Sequence, residues 1–340
     1  MVKRNRFLCF TLILLLFAFL SCAQRPDVQR QIDDLFQKKN VTILVTDSGL
    51  GGLSVAADLT ERLPESGVFD SARVVFFNSL FHNRSGYNSL SKVSEKVRIF
   101  NIALNAMAEK YEPDLLLIAC NTLSVLYDKT DFSKRAPFPV IGIVETGVDL
   151  IAEQLDKSPD ANAIIFATKT TIASGAHKKQ LMEQGFSGDR IIGQPCHRLA
   201  GSIERGYDSE KTIGYIEKFV KEALQRVDRE EPVFASFNCT HYGYAMQQFR
   251  DAFAAQGYPD IAILDPNPKM ADFLFADSLL NRYDSTQVST DLVSRVTISE
   301  EKMHSLGALM ERVSPRTAEA LRGYTYDPDL FDAKFDTTKI

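Results

Sequence analysis

From residue 41 onward, short apolar runs alternate with longer stretches whose apolar residues recur at three- and four-residue steps. The runs cover 41–46, 74–77, 115–119 and 140–144, then 163–167, 190–192, 233–237 and 261–264. They are short, rich in β-branched and aliphatic side chains, and largely lack the polar alternation of a half-exposed strand. Strands of that kind are buried on both faces, as in parallel sheets. The stretches 93–111 and 213–226 carry the helical period. The pattern predicts an α/β fold of doubly wound parallel sheets with helices on both faces.

The runs form two sets of similar spacing. In each set the third run ends on a cysteine motif, Cys120-Asn121-Thr122 in the first and Cys239-Thr240-His241 in the second. This is a pseudo-repeat: two similar α/β domains, 41–145 and 146–280, each presenting a thiol at the carboxyl end of a strand. Ligands of open α/β sheets bind outside those ends, so the expected active site is the cleft between the domains. Residues 281–340 read as a C-terminal helical extension, with a helix over 300–312 that supplements the first domain. An acidic tail carrying Phe331 and Phe335 is expected to be poorly ordered.

The N-terminus differs in kind. Lys3, Arg4 and Arg6 precede an apolar run over 7–20 that only Thr11 interrupts. The run is short of the roughly 20 residues a membrane span needs and fits the core of a signal peptide. Phe19-Leu20-Ser21-Cys22 resembles a relaxed bacterial lipoprotein cleavage box, with Phe19 where Leu is usual. That resemblance implies a signal peptide over 1–21 and a diacylglycerol group on Cys22, each buried methylene contributing about 0.8 kcal/mol of anchoring. The protein would then face the periplasm. A secretory signal cut after Ser21 or Ala23, or an uncleaved anchor, is the alternative. Residues 22–40 read as a polar tether with a short helix over 27–36.

Composition narrows the classes. Hydrophobic residues make up 45% and charged residues 24%, the balance of a globular protein. The net charge of -5 comes from interspersed acids and bases, and no Lys/Arg block is large enough to track a phosphate backbone, which argues against a nucleic-acid partner. Of five cysteines, Cys9 lies in the signal and Cys22 is the lipidation candidate. Three remain, and an odd number in an exported chain argues for free thiols over a disulfide framework. Cys196 reads as core packing.

Asp47-Ser48-Gly49-Leu50-Gly51-Gly52 follows the first run and opens a helix over 55–59. It lacks the spacing of a nucleotide motif. Its glycines permit close backbone approach, and the helix start offers N–H groups to a small carboxylate. The two cysteine motifs suit proton transfer. Racemisation removes an α-proton from one face of a carbon and returns one to the other, which two opposed acid/base groups accomplish without moving. A thiol, with a reference pKa near 8.5, lies closer to neutrality than a carboxylate or a lysine. His241 would hold a proton beside Cys239. Asp47 would do so for Cys120 if the first strand lies beside the third. A zinc site ranks below this, because the close Cys-x-x-Cys pairing is missing. A disulfide between Cys120 and Cys239 also stays open. His82 and His304 read as solvated, and His177 as a surface or cap residue.

Taken in order, Asp47-Ser-Gly-Leu-Gly-Gly-Leu-Ser, Ala119-Cys-Asn-Thr and Cys239-Thr-His-Tyr242 resemble the glutamate racemase branch of the aspartate/glutamate racemase superfamily. Ala167-Thr168, Ser174-Gly175-Ala176, Ile203-Glu204-Arg205-Gly206 and Leu264-Asp265 support the likeness. It implies two similar α/β domains with the active site between them, no cofactor, a free amino acid as substrate and, frequently, a homodimer. Carried over, Cys120 and Cys239 would be the catalytic thiols, assisted by Asp47 and His241, with Glu204 on the catalytic side. Ser48, Asn121, Thr122 and Thr240 would hold the substrate's ammonium and carboxylate, and Tyr87 would belong to its binding loop. The chain departs from the family at a longer loop over 79–85, at Asn88 for Gly, at Gly243 for Pro, at Lys169-Thr170 for Pro-Gly or a similar pair, and near Glu145. These surround the substrate's side-chain end and leave specificity open. The rival readings are a solute-binding lipoprotein without turnover, and a decarboxylase or hydantoin racemase of the same superfamily. A pair of thiols counts against both a mere binder and the single-cysteine decarboxylases.

Overall fold

The structure is a computed structural model and describes residues 27–228 and 230–334. Ten strands occur in chain order: β1 Asn40–Asp47, β2 Ser71–Asn78, β3 Leu115–Ile118, β4 Val140–Gly142, β5 Asn162–Ala167, β6 Ile191–Pro195, β7 Val233–Asn238, β8 Ala262–Leu264, β9 Gln287–Ser294 and β10 Thr325–Tyr326. They build a six-stranded sheet, ordered β10-β9-β2-β1-β3-β4, and a four-stranded sheet, ordered β6-β5-β7-β8. Every ladder is parallel. The order β2-β1-β3-β4 repeats as β6-β5-β7-β8, so the pseudo-repeat is a repeat of topology. In both sheets the cysteine follows the strand third in sequence.

The eight apolar runs all become strands, the central ones covered on both faces and the edge strands β4 and β8 only partly buried. β1 is buried from Ile43 to Asp47, and β5 along its whole length. Helices pack on each side with the faces their spacing predicts: Val93–Tyr111 buries Ile99, Phe100, Ala103, Leu104 and Met107, three or four residues apart. The fourth run is shorter as a strand than expected. It ends at Gly142, and Ile143 and Val144 already belong to the helix Ile143–Lys157.

The C-terminal region departs furthest from the helical extension expected there. The helix Glu300–Val313 is present, but β9 precedes it and pairs along β2 from Ser71↔Gln287 to Asn78↔Ser294. β9 escapes a reading by hydrophobic runs because only Leu292, Val293 and Ser294 are buried along it. The tail is also docked: Leu330, Phe331 and Ala333 are buried, and the Phe331 ring stacks 5.9 Å from that of Phe77. Phe335 lies outside the described residues, as do the signal segment and Cys22. The stretch expected as a tether forms the helix Val28–Leu35, capped by Asp27, and is held down by buried Leu35 and by Phe36 stacked on Phe69. No helix among the described residues is long and apolar enough to cross a membrane.

Candidate active site

β1 lies beside β3, with Thr46 paired to Ile118, so the residues just past each strand meet. Ser48 Oγ lies 3.2 Å from Cys120 Sγ. Asp47, fully buried, accepts from the Gly52 N–H at 3.0 Å and from the Thr240 hydroxyl at 2.8 Å through one oxygen. Its other oxygen has no hydrogen-bond partner. The second bond reaches the other half of the molecule, because Thr240 follows β7. The end of β1 therefore joins Cys120 on one side to the Cys239-Thr240-His241 turn on the other.

Close approach explains the glycines of this loop, none of which has a positive φ. A Cβ at Gly51 would run into the His241 ring and the Thr240 hydroxyl, and one at Gly49 into the Glu204 carboxylate. The Tyr244 hydroxyl donates to the carbonyls of Leu50 and Gly51, at 3.1 and 2.9 Å, and pins the loop. The expectation that the loop offers its N–H groups to a ligand carboxylate is only partly met: Gly52 N–H is taken by Asp47, and Leu50 N–H donates to Glu204 Oε1 at 2.8 Å.

On the Cys239 side a polar chain runs from the thiol toward the cavity wall. Cys239 Sγ is 3.7 Å from His241 Nδ1, and His241 Nε2 is 2.7 Å from Glu204 Oε1. Glu204 Oε2 is 2.6 Å from Lys302 Nζ. Burial works against charge on Glu204, but Lys302 and His241 hold its carboxyl far below the usual range. Burial likewise opposes charge on His241, yet its bonds to Cys239 and Glu204 leave the imidazole well above its ordinary value. Cys120 has no such partner. Burial, then the nearby charge of Asp47, pushes its thiol up. Asp47 is itself raised by burial, with His241 and Thr240 opposing.

The thiols are 5% and 6% exposed, and their partners Ser48 and His241 stand in the wall of a cavity of about 600 Å³, together with Tyr87, Asn88, Glu204 and Lys302. Asn121 is buried here with neither amide atom hydrogen-bonded. Thr122 Oγ1 is 2.8 Å from Thr168 Oγ1, across from the first half to the second. Tyr87 reaches the cavity, but its ring packs edge-on against Phe81 and Phe100 and its hydroxyl is unpartnered. Of the predicted set, Asp47, Ser48, Cys120, Cys239, Thr240, His241 and Glu204 form one connected cluster. Asn121, Thr122 and Tyr87 sit along its edge.

Three further features carry meaning that the sequence did not disclose. Lys302 comes from the helix Glu300–Val313, where Ser299 caps the first turn by accepting from Lys302 N–H. Asn88 donates to Thr122 Oγ1 at 3.4 Å and accepts from Thr170 N–H at 3.3 Å, and Lys96 Nζ donates to Thr170 Oγ1 at 2.6 Å. Two of the departures from the family pattern, Asn88 and Thr170, thus latch the two halves together. His177 is buried beside Asn238, not on the surface, and burial pushes its imidazole down to about 4. Cys120, Cys196 and Cys239 are all free thiols. Among the described residues, no three His, Cys, Asp or Glu side chains are grouped to hold a metal ion.

Two parallel sheets each bring a thiol to a shared buried cluster of titratable and hydroxyl side chains, a set able to do acid–base chemistry. The model of the Asp/Glu/Hydantoin racemase family matches residues 51–234, more than half of the chain. The glutamate racemase of Lysinibacillus sphaericus (strain C3-41) is 29% identical over 213 residues, 62% of this chain and 72% of its own. That of Lactobacillus acidophilus is 29% identical over 239 residues, 69% and 80% of the two chains. The fold is shared with the glutamate racemase of Francisella tularensis solved with D-glutamate, at TM-score 0.60, 21% identity and 80% and 94% coverage of the two chains. The Campylobacter jejuni enzyme gives 0.59, with 21% identity and 79% and 98% coverage. The chain belongs to the Asp/Glu/Hydantoin racemase family, on its glutamate racemase branch, and is an amino-acid racemase, an isomerase.

Proposed function

We propose that the chain racemises glutamate by two-base proton transfer, with Cys120 and Cys239 as the two bases. The observation that carries this reading is the equivalent placement of the two thiols, each just beyond the third strand of its half, joined through Asp47 and Thr240. One cysteine, as thiolate, takes the α-proton, and the electron pair delocalises into the substrate carboxylate. The other thiol returns its proton to the opposite face. Charge building on the carboxylate is met by fixed donors, for which Ser48, Thr240 and the unpartnered Asn121 amide are suited. The substrate ammonium faces Asp47, whose free oxygen is an acceptor, and its positive charge favours the Cys120 thiolate that Asp47 alone disfavours.

An acidic substrate suits the cavity wall. Arg84, Arg198, Arg205 and Lys211 line it, against Glu204, in a chain whose net charge is -5. Such a local reversal of sign concentrates anions at the site. The rival reading, a binder without turnover, leaves two buried thiols and an imidazole–carboxylate–ammonium chain without purpose.

The deciding measurement is α-proton exchange in D2O followed by proton NMR. The reduced protein, expressed from Ala23, would be given D- and L-glutamate, then aspartate and other amino acids. Exchange with glutamate that vanishes in Cys120→Ser and in Cys239→Ser is the expected result. Folded protein with titrated free thiols and no exchange with any amino acid would favour the binder. Attachment to a membrane through Cys22, facing the periplasm, rests on the charged and apolar pattern of the first 22 residues. Metabolic labelling with a radioactive fatty acid tests it: the label should enter the wild type and be lost in Cys22→Ser, and an unlabelled wild type removes the proposal.

A further inference from the structure

Glu204 is the most tightly held carboxylate of the cluster, and its partners His241, Leu50 and Lys302 all come from outside the segment 51–234 matched by the family model, Lys302 from furthest along the chain. Its Oε1 takes His241 Nε2 at 2.7 Å and the Leu50 N–H at 2.8 Å, while Oε2 takes Lys302 Nζ at 2.6 Å. Lys302 stands in the first turn of Glu300–Val313, which the Ser299 cap fixes and which buried Leu306 and Met310 seat on the first-sheet core. The ammonium is therefore placed by tertiary packing, not by a loose surface contact. A bare Glu204 carboxylate would strongly favour the proton on His241, and through it hold charge beside Cys239. An ammonium on its other oxygen offsets that pull.

We propose that Lys302 is a positioning residue of this racemase: by neutralising Glu204 it sets the proton affinity of the Cys239–His241 pair. The proposal rests on the two-thiol reading above. The other titratable groups that face the cluster are Asp47, from the end of β1, and the neutral Tyr244 hydroxyl, from the turn after His241. Arg205, on the same helix as Glu204, and Lys211, from the helix Glu210–Leu224, stand in the cavity wall without an ion pair among the described residues. Asp47 acts on the Cys120 thiol and is coupled to His241, where its negative charge works in the sense opposite to Lys302. Apart from His241, Lys302 is the one cation bonded to Glu204 among the described residues, and Glu204 is 5% exposed. Removing a positive charge raises the pKa of every titratable group beside it, so loss of Lys302 makes the Cys239–His241 pair hold its proton more firmly.

Two opposed bases give this a signature that a structural role lacks. In the direction that uses Cys239 as the base, Cys239 must start deprotonated, and it defines the acid limb of kcat/KM. In the reverse direction Cys239 must start protonated, and it defines the basic limb. kcat/KM profiles report the free enzyme, so both limbs are measurable in the full chain from Ala23 with D- and L-glutamate. In Lys302→Met the expected result is an upward shift of about one pH unit in the acid limb of one direction and in the basic limb of the other. The two limbs that belong to Cys120 stay in place. Lys302→Arg returns both shifted limbs. Should Lys302→Met not fold, Lys302→Gln, close in length and neutral, takes its place with the same expectation.

If the rate falls equally at all pH values with no limb displaced, Lys302 only supports the fold and the proposal is overturned. The same follows if Lys302→Arg fails to restore the limbs. Loss of exchange in both cysteine variants together with unmoved limbs in Lys302→Met sinks this inference alone. Exchange that survives Cys239→Ser removes the two-thiol reading and this inference with it.

Discussion

At the end of β3, Cys120 meets a hydroxyl and a carboxylate; at the end of β7, Cys239 meets an imidazole backed by Glu204 and Lys302. The backbone topology of the two places is the same, and both thiols are buried. Their polar partners differ. Burial and Asp47 push the first thiol up, so it starts as a proton donor unless a cation arrives. The second stands against a group that already holds a proton. On the proposed two-thiol mechanism, the substrate ammonium beside Asp47 would lower the proton affinity of Cys120 when it binds. Duplicated topology supplied two equivalent strand ends. Unrelated side chains, drawn from four separate stretches of sequence, made those ends different.

The largest effect should come from removing either end of the pair. Cys120→Ser and Cys239→Ser should each lower racemisation by about 10³-fold or more, within the range for loss of an acid–base group, measured as change in optical rotation of glutamate. Retention of most activity in one of them would mean that the site works from one side.

The next test disturbs only the Cys239 side. Gly51→Ala puts a methyl group where His241 and Thr240 now sit. It should cost about 10²-fold in kcat/KM, the scale of a misplacement of about 1 Å in a positioned site. Thermal unfolding of the same variant separates misplacement from collapse. Unchanged kinetics would mean that the close contact has no part in placing His241.

The smallest effect sharpens the Cys120 side. Asp47 raises the proton affinity of Cys120 by its negative charge. Asp47→Asn removes that charge, so the Cys120 limb of the pH–rate profile should move down by about one unit. His241 also feels Asp47, so the Cys239 limb should follow in the same direction by less. A limb that moves up, or does not move, would contradict the assignment of Asp47 to Cys120.

Much of this was legible in the sequence. All eight apolar runs became strands, the central ones because burial on both faces leaves an unbroken apolar run in the sequence. Cys120, Cys239, Asp47 and His241 were legible for a related reason. Each stands just past an apolar run, where an α/β sheet exposes its ligand side. Asn88 and Thr170 were visible as departures, though not that they bond to each other. Tyr87 was expected to bind substrate, and the structure shows a buried ring with an unpartnered hydroxyl at the cavity wall.

The sequence by itself determined the sheet class, the repeat and the chemistry on offer, because these follow from local patterns: periodicity, glycines in a turn, a cysteine after a strand. Tertiary structure alone decided that β9 extends the first sheet, that the tail is docked rather than loose, and that Lys302 completes the acid–base chain of Glu204 and His241. β9 carries too little apolar character to announce itself and is held by pairing with β2. A lysine in the first turn of a polar helix looks solvated until the fold brings Glu204 within 2.6 Å of it. Contacts between residues a hundred positions apart leave no local trace, and they are where the two thiols become unequal.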